Sequence, residues 1–147
     1  MACENLRIVL DGNEKCFSNT NNAREMGKRF SLRNPQQKEI CRVHIDDCLI
    51  TDKTIKKCDF LFGIDNSRYY LIELKGVDIN TAIEQIVNTY EIVNSKIKAP
   101  VSNYKGIVIS SEVPSQAHQK FRNLAEKLYR DKKLMITRSQ NQHEELI

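Results

Sequence analysis

Residues 58–75, CDFLFGIDNSRYYLIELK, constrain this chain more than any other stretch. Two nearly continuous apolar runs, 58–64 and 69–75, flank Asp65, Asn66 and Ser67, whose short polar side chains favour turns. Such runs around a tight polar break predict a β-hairpin. Asp59, Glu73 and Lys75 interrupt them. Side chains two apart on a strand share a face, so Glu73 and Lys75 point the same way, with Tyr69 and Leu71. A turn centred on 65–67 sets Asp59 opposite the residues just beyond Glu73, and a register shift of two keeps it on their face. Two carboxylates and one ammonium then converge at one end of a sheet. Buried carboxylates are costly unless paired or bound to a metal. The plainer alternative is a solvated E-x-K face with Asp59 capping a strand end.

The flanking sequence predicts a sheet with helices. Cys41, Val43 and Ile45 alternate with Arg42, His44 and Asp46, the period of a half-buried strand. Asp46 and Asp47 close it in a turn, and 51–57 is a polar loop. His44, on the polar face of that strand, is expected at the surface or packed on the sheet. After Gly76, the residues Ile83, Ile86, Val87, Tyr90, Val93 and Ile97 recur at helical spacing, with Asn80 as N-cap and Pro100 beyond the end. Residues 106–110 read as a buried strand. Ser115 opens a second helix whose apolar face is Ala117, Phe121, Leu124, Ala125 and Leu128, and 134–137 is a last strand. Upstream, 5–10 reads as a short strand and 23–30 as helical. Strands followed by helices imply an α/β fold, with a mixed central β-sheet flanked by helices on its faces.

At 147 residues, with no Gly/Ser linker or repeat, the chain is expected to form a single domain, 1–147. No apolar run approaches the roughly 18 residues of a membrane span, and the first residues lack a secretory h-region. A cytoplasmic protein is therefore expected. Its five cysteines are odd in number and form no C-x-x-C pair, so they read as buried or idle thiols rather than a disulfide framework or zinc site. The net charge of +4 is compatible with a polyanionic partner. Lys120, Arg122, Lys127, Arg130, Lys132, Lys133 and Arg138 crowd the C-terminal third, either as a solvated helix face or as a phosphate-facing strip.

Asp59, then Glu73-Leu74-Lys75 on the next strand, then a helix, resembles the PD-(D/E)XK nuclease superfamily, over about residues 38–137. Cys58 stands where the family name has Pro. Gln85 matches a glutamine carried by some branches, although Tyr90 lies five positions on, so a Q-x-x-x-Y box is not matched. The resemblance implies a restriction endonuclease-like core. It also implies Mg²⁺ or Mn²⁺ held by Asp59, Glu73 and the Leu74 carbonyl, with Glu39 as a further acidic candidate, and catalytic roles for Asp59, Glu73, Lys75 and Gln85. Metal-dependent cleavage of DNA is then expected, in restriction, repair or anti-phage defence, by a homodimer or a part of a larger complex. A Holliday-junction resolvase of the same fold and an inactive nuclease-like binding or immunity protein are the alternatives.

Overall fold

The computed structural model describes residues 3–74 and 78–147. In chain order its elements are α1 (Glu4–Leu10), β1 (Phe17–Ser18), β2 (Asn22–Glu25), β3 (Lys28–Arg33), β4 (Ile40–His44), β5 (Phe60–Ile64), β6 (Arg68–Leu74), α2 (Ile79–Ile97), β7 (Tyr104–Ser110), α3 (Ser115–Lys132), β8 (Met135–Gln140) and β9 (Gln142–Leu146). Six strands form one mixed sheet in the order β1-β4-β5-β6-β7-β8. Strands β1, β4, β5 and β6 pair antiparallel, and β6, β7 and β8 pair parallel. The class is α/β.

The two faces of this sheet carry different cores. Leu61, Tyr69, Leu71, Val108 and Ile136 pack against Leu6, Val9 and Leu10 of α1, Ile83, Ile86 and Val93 of α2, and Phe121 of α3. Phe60, Phe62, Tyr70, Ile72, Ile107 and Ile109 pack instead against Ala23, Phe30 and Leu32. Those three belong to a second sheet, ordered β2-β3-β9. Helices therefore cover one face rather than both, because the N-terminal third and the C-terminal tail supply strands for the other.

Three local expectations are corrected. Residues 5–10 are helical: Leu6, Val9 and Leu10, spaced three and four apart, all reach the core, a pattern that six residues do not separate from a strand. Residues 23–30 form a hairpin, not a helix. Met26 and Gly27 both take positive φ, 52° and 77°, the two-residue turn that fits strand twist. Alternation then turns Ala23 and Phe30 inward, while Arg24 and Arg29 are exposed. Helix α2 is capped by Asp78 rather than Asn80: the Thr81 amide donates to Asp78 Oδ1 (3.3 Å) and the Thr81 hydroxyl to Oδ2 (2.6 Å).

Strand β9 carries no apolar alternation and is set by pairing with β3. Its inward His143 and Glu145 are satisfied by Ser139 (2.7 Å) and Lys105 (2.9 Å). Helix α3 buries only Phe121 and leaves Leu124 exposed, so the expected apolar face is only partly used. Its Lys120, Arg122, Lys127 and Arg130 are solvated.

The cysteines also depart from expectation. Cys3 joins Cys41 and Cys16 joins Cys48, tying the N-terminal segment to β4 and to the turn beyond it, and leaving Cys58 as a buried free thiol. Sequence separations of 38 and 32 give no local signature; the pairs meet because α1 crosses β4. Among the described residues no helix is long and apolar enough to cross a membrane.

Candidate functional site

The hairpin of β5 and β6 turns through Asp65 and Asn66, both at positive φ (51° and 55°), which aspartate and asparagine tolerate. The Ser67 amide closes the turn on the Ile64 carbonyl at 3.0 Å. That turn fixes the register. Ile64 faces Arg68 and Phe60 faces Ile72, so the next pair outward is Asp59 and Glu73. Residues directly opposite on antiparallel strands share a face, with Cβ atoms about 5 Å apart. The carboxylates are closer in register than the sequence suggested, which placed Asp59 beyond Glu73. Both are buried, at 6% and 2% exposure, on the face covered by α2. The Leu74 amide donates to Asp59 Oδ2 at 2.8 Å, and the Asp59 amide donates to the Ile72 carbonyl at 3.0 Å.

Helix α2 is latched beside this pair. Thr89 Oγ1 accepts from the Cys58 amide and donates to the Gln85 carbonyl, each at 2.8 Å. Gln85 lies one turn nearer the helix start, and its Oε1 is buried without a hydrogen-bond partner among the described residues. Burial, and then the charge of Glu73, push the Cys58 thiol well above its ordinary range, so it stays protonated.

The sheet adds groups that the sequence did not single out. Glu73 registers with Val108, and Val108 with Arg138. At about 4.8 Å per strand, Arg138 stands roughly 10 Å from Glu73 on the same face. Its Nε donates to Ser110 Oγ at 2.9 Å and its Nη2 to the Ser111 carbonyl at 2.8 Å, which fixes the guanidinium at the end of β7. The sequence shows Arg138 only as one of a basic crowd; no local pattern separates it from the solvated lysines of α3. Helices α2 and α3 both begin at this end of the sheet, after β6 and β7. In open α/β sheets the carboxyl ends of parallel strands, with helix N-termini above them, form the usual ligand crevice.

No family model, curated protein or solved structure matches this chain, so its function is read from the site alone.

Of the candidates named from sequence, Asp59, Glu73 and Leu74 meet at one sheet end and Gln85 lies on the helix beside them. Lys75 and Gly76 fall outside the described residues. Glu39 does not join the group. Its carbonyl accepts from the Asp65 amide at the turn end of the hairpin, about six strand residues, or roughly 20 Å, from Asp59. Its carboxylate instead accepts from the Cys3 amide at 2.8 Å. Cys3, Glu39 and Cys41 are the one group of three metal-capable side chains among the described residues, but the sulfurs are joined to each other, and thiolate is the metal-binding form. His44 stacks on Phe60 at 4.7 Å, the sheet-packing role expected of it. Tyr69 and Tyr70 are core residues.

Proposed function

We propose that the chain is a Mg²⁺- or Mn²⁺-dependent endonuclease of restriction endonuclease-like fold that hydrolyses phosphodiester bonds in DNA. One observation carries the reading: Asp59 and Glu73, both buried, stand directly opposite each other at the carboxyl edge of the parallel strands. Facing carboxylates in a low-dielectric setting favour a positive charge between them, and all-oxygen donors suit a hard divalent cation. Asp59, Glu73 and the Leu74 carbonyl would hold that ion, which supplies acidified water and neutralises phosphate charge.

The chain's own groups position the substrate. Arg138, braced by Ser110 and Ser111, offers a fixed cation to a phosphate oxygen at this edge. Lys75, sharing Glu73's face by strand alternation, stabilises charge developing on the phosphate. The amide of Gln85 orients a water or a phosphate oxygen. DNA is the proposed partner. A homodimer or a larger complex would bring a site to each strand, in restriction, repair or anti-phage defence. The cytoplasm is the proposed compartment, with the condition that its glutathione acts against the two cystines.

Cleavage of linear, nicked and branched DNA tests the proposal. Wild type should cut with Mg²⁺ or Mn²⁺ and not with chelator, and Glu73→Gln should reduce the rate on the order of a thousandfold or more while DNA binding persists. Ca²⁺ should allow binding with little cleavage, since its loose coordination activates water poorly. Equal rates for wild type and Glu73→Gln would sink the reading, as would no cleavage of any substrate with either metal.

A further inference from the structure

The outer face of the β2-β3-β9 sheet bears an arrangement that the carboxylate site does not explain. Arg24 on β2 is directly opposite Arg29 on β3, and both are exposed. Like charges at facing positions of an antiparallel pair destabilise it, with Cβ atoms only about 5 Å apart. Arg33, four residues along β3, repeats the charge on the same face, about 13 Å further on, or some four base-pair steps of duplex axis. Among the described residues no carboxylate forms an ion pair with Arg24, Arg29 or Arg33. Glu144, facing Ser31, is the one acidic side chain that the β9 register sets on this face.

The face is also concave. Arg29 lines three adjoining hollows, shared with Arg24 and Gln142 at one end and with Asn22, Arg33 and Glu144 at the other. Asn22 and Gln142 add hydrogen-bonding groups between the charges. The face begins at the sheet edge that carries Glu73: the Asn141 amide donates to the Ser110 carbonyl at 2.8 Å, and the Arg29 amide to the Asn141 carbonyl at 3.1 Å. A planar guanidinium pair without carboxylates matches phosphate oxygens in geometry and charge.

We infer that this face is a docking surface for the backbone of duplex DNA, with Arg24 and Arg29 clamping one phosphate and Arg33 meeting another further along. It extends the nuclease reading but stands on separate residues. The test is fluorescence anisotropy of a short labelled duplex with full-length protein in chelator, across a salt series. Arg24→Gln/Arg29→Gln should bind on the order of tenfold more weakly, with a slope of log K against log salt shallower by roughly 1.8, about 0.9 per lost phosphate contact. Glu144→Gln should bind more tightly. The double variant should melt no lower than wild type, since it relieves repulsion, which separates lost contact from lost folding. Unchanged affinity and slope in the double variant, or no duplex binding by wild type at low salt, overturns the surface. Binding through these arginines without metal-dependent cleavage keeps the surface and removes the nuclease reading. Cleavage with arginine-independent binding does the reverse.

Discussion

Cys58 shows what the site does to a single residue. Its thiol is sealed between the strand and Thr89, and both burial and the neighbouring Glu73 disfavour its anion. In the unfolded chain it ionises near its ordinary value of 9.0, whereas in the fold it holds its proton to higher pH. A raised folded pKa means that this contribution to stability is complete below about pH 9 and is lost as pH climbs from there toward the folded value. Tyr70 and Tyr104, raised first by burial from 10.0, extend the loss to higher pH. Denaturant unfolding between pH 8 and pH 10.5 should therefore show a steeper alkaline decline for wild type than for Cys58→Ala. Parallel declines would show that the thiol does not sense the carboxylates.

Helix α2 sets where Gln85 lies, and a glycine sets where α2 lies. A Cβ at Gly106 would come within 2.7 Å of Ile86 Cγ2 and 3.0 Å of Ile136 Cγ1. The helix therefore packs on β7 at a distance that only hydrogen permits. Gly106→Ala should cost about 1–3 kcal/mol in chemical denaturation through overpacking. If Gln85 works from this seat, the same variant should slow cleavage more than it weakens DNA binding. Loss of stability with an unchanged rate would assign α2 a scaffold role alone. The latch from Thr89 to the Cys58 amide joins this helix to the strand that carries Asp59, so a shift of α2 is felt at the carboxylates.

At the scale of the molecule, two cystines hold the N-terminal segment across the main sheet. They close loops spanning 38 and 32 residues, each worth about 3–4 kcal/mol by loss of unfolded-state entropy, less where the two loops overlap. Native, unreduced protein should react with an alkylating agent at no cysteine, and denaturant without reductant should expose Cys58 alone. Adding reductant should label all five and lower the midpoint of unfolding. Labelling of Cys3 or Cys16 in unreduced, denatured protein would refute the pairing.

Short-range physics made part of this legible in the sequence. Apolar runs around a polar turn gave the hairpin, helical spacing gave α2, and the charges of Asp59 and Glu73 stood out because charge inside an apolar strand needs a reason. Alternation alone put Cys41, Val43 and Ile45 inward. Everything that depends on partners distant in sequence was decided only by the tertiary fold. The turn register made Asp59 face Glu73 and sent Glu39 to the far end of the sheet. Pairing with β3 made a strand of the charged tail 142–146, and the approach of α1 to β4 paired Cys3 with Cys41. Parallel pairing of β6, β7 and β8 brought Arg138 into line with Glu73. A side chain's own chemistry and its near neighbours are written in the local sequence, whereas the choice among distant partners is a competition for burial that the whole chain settles together.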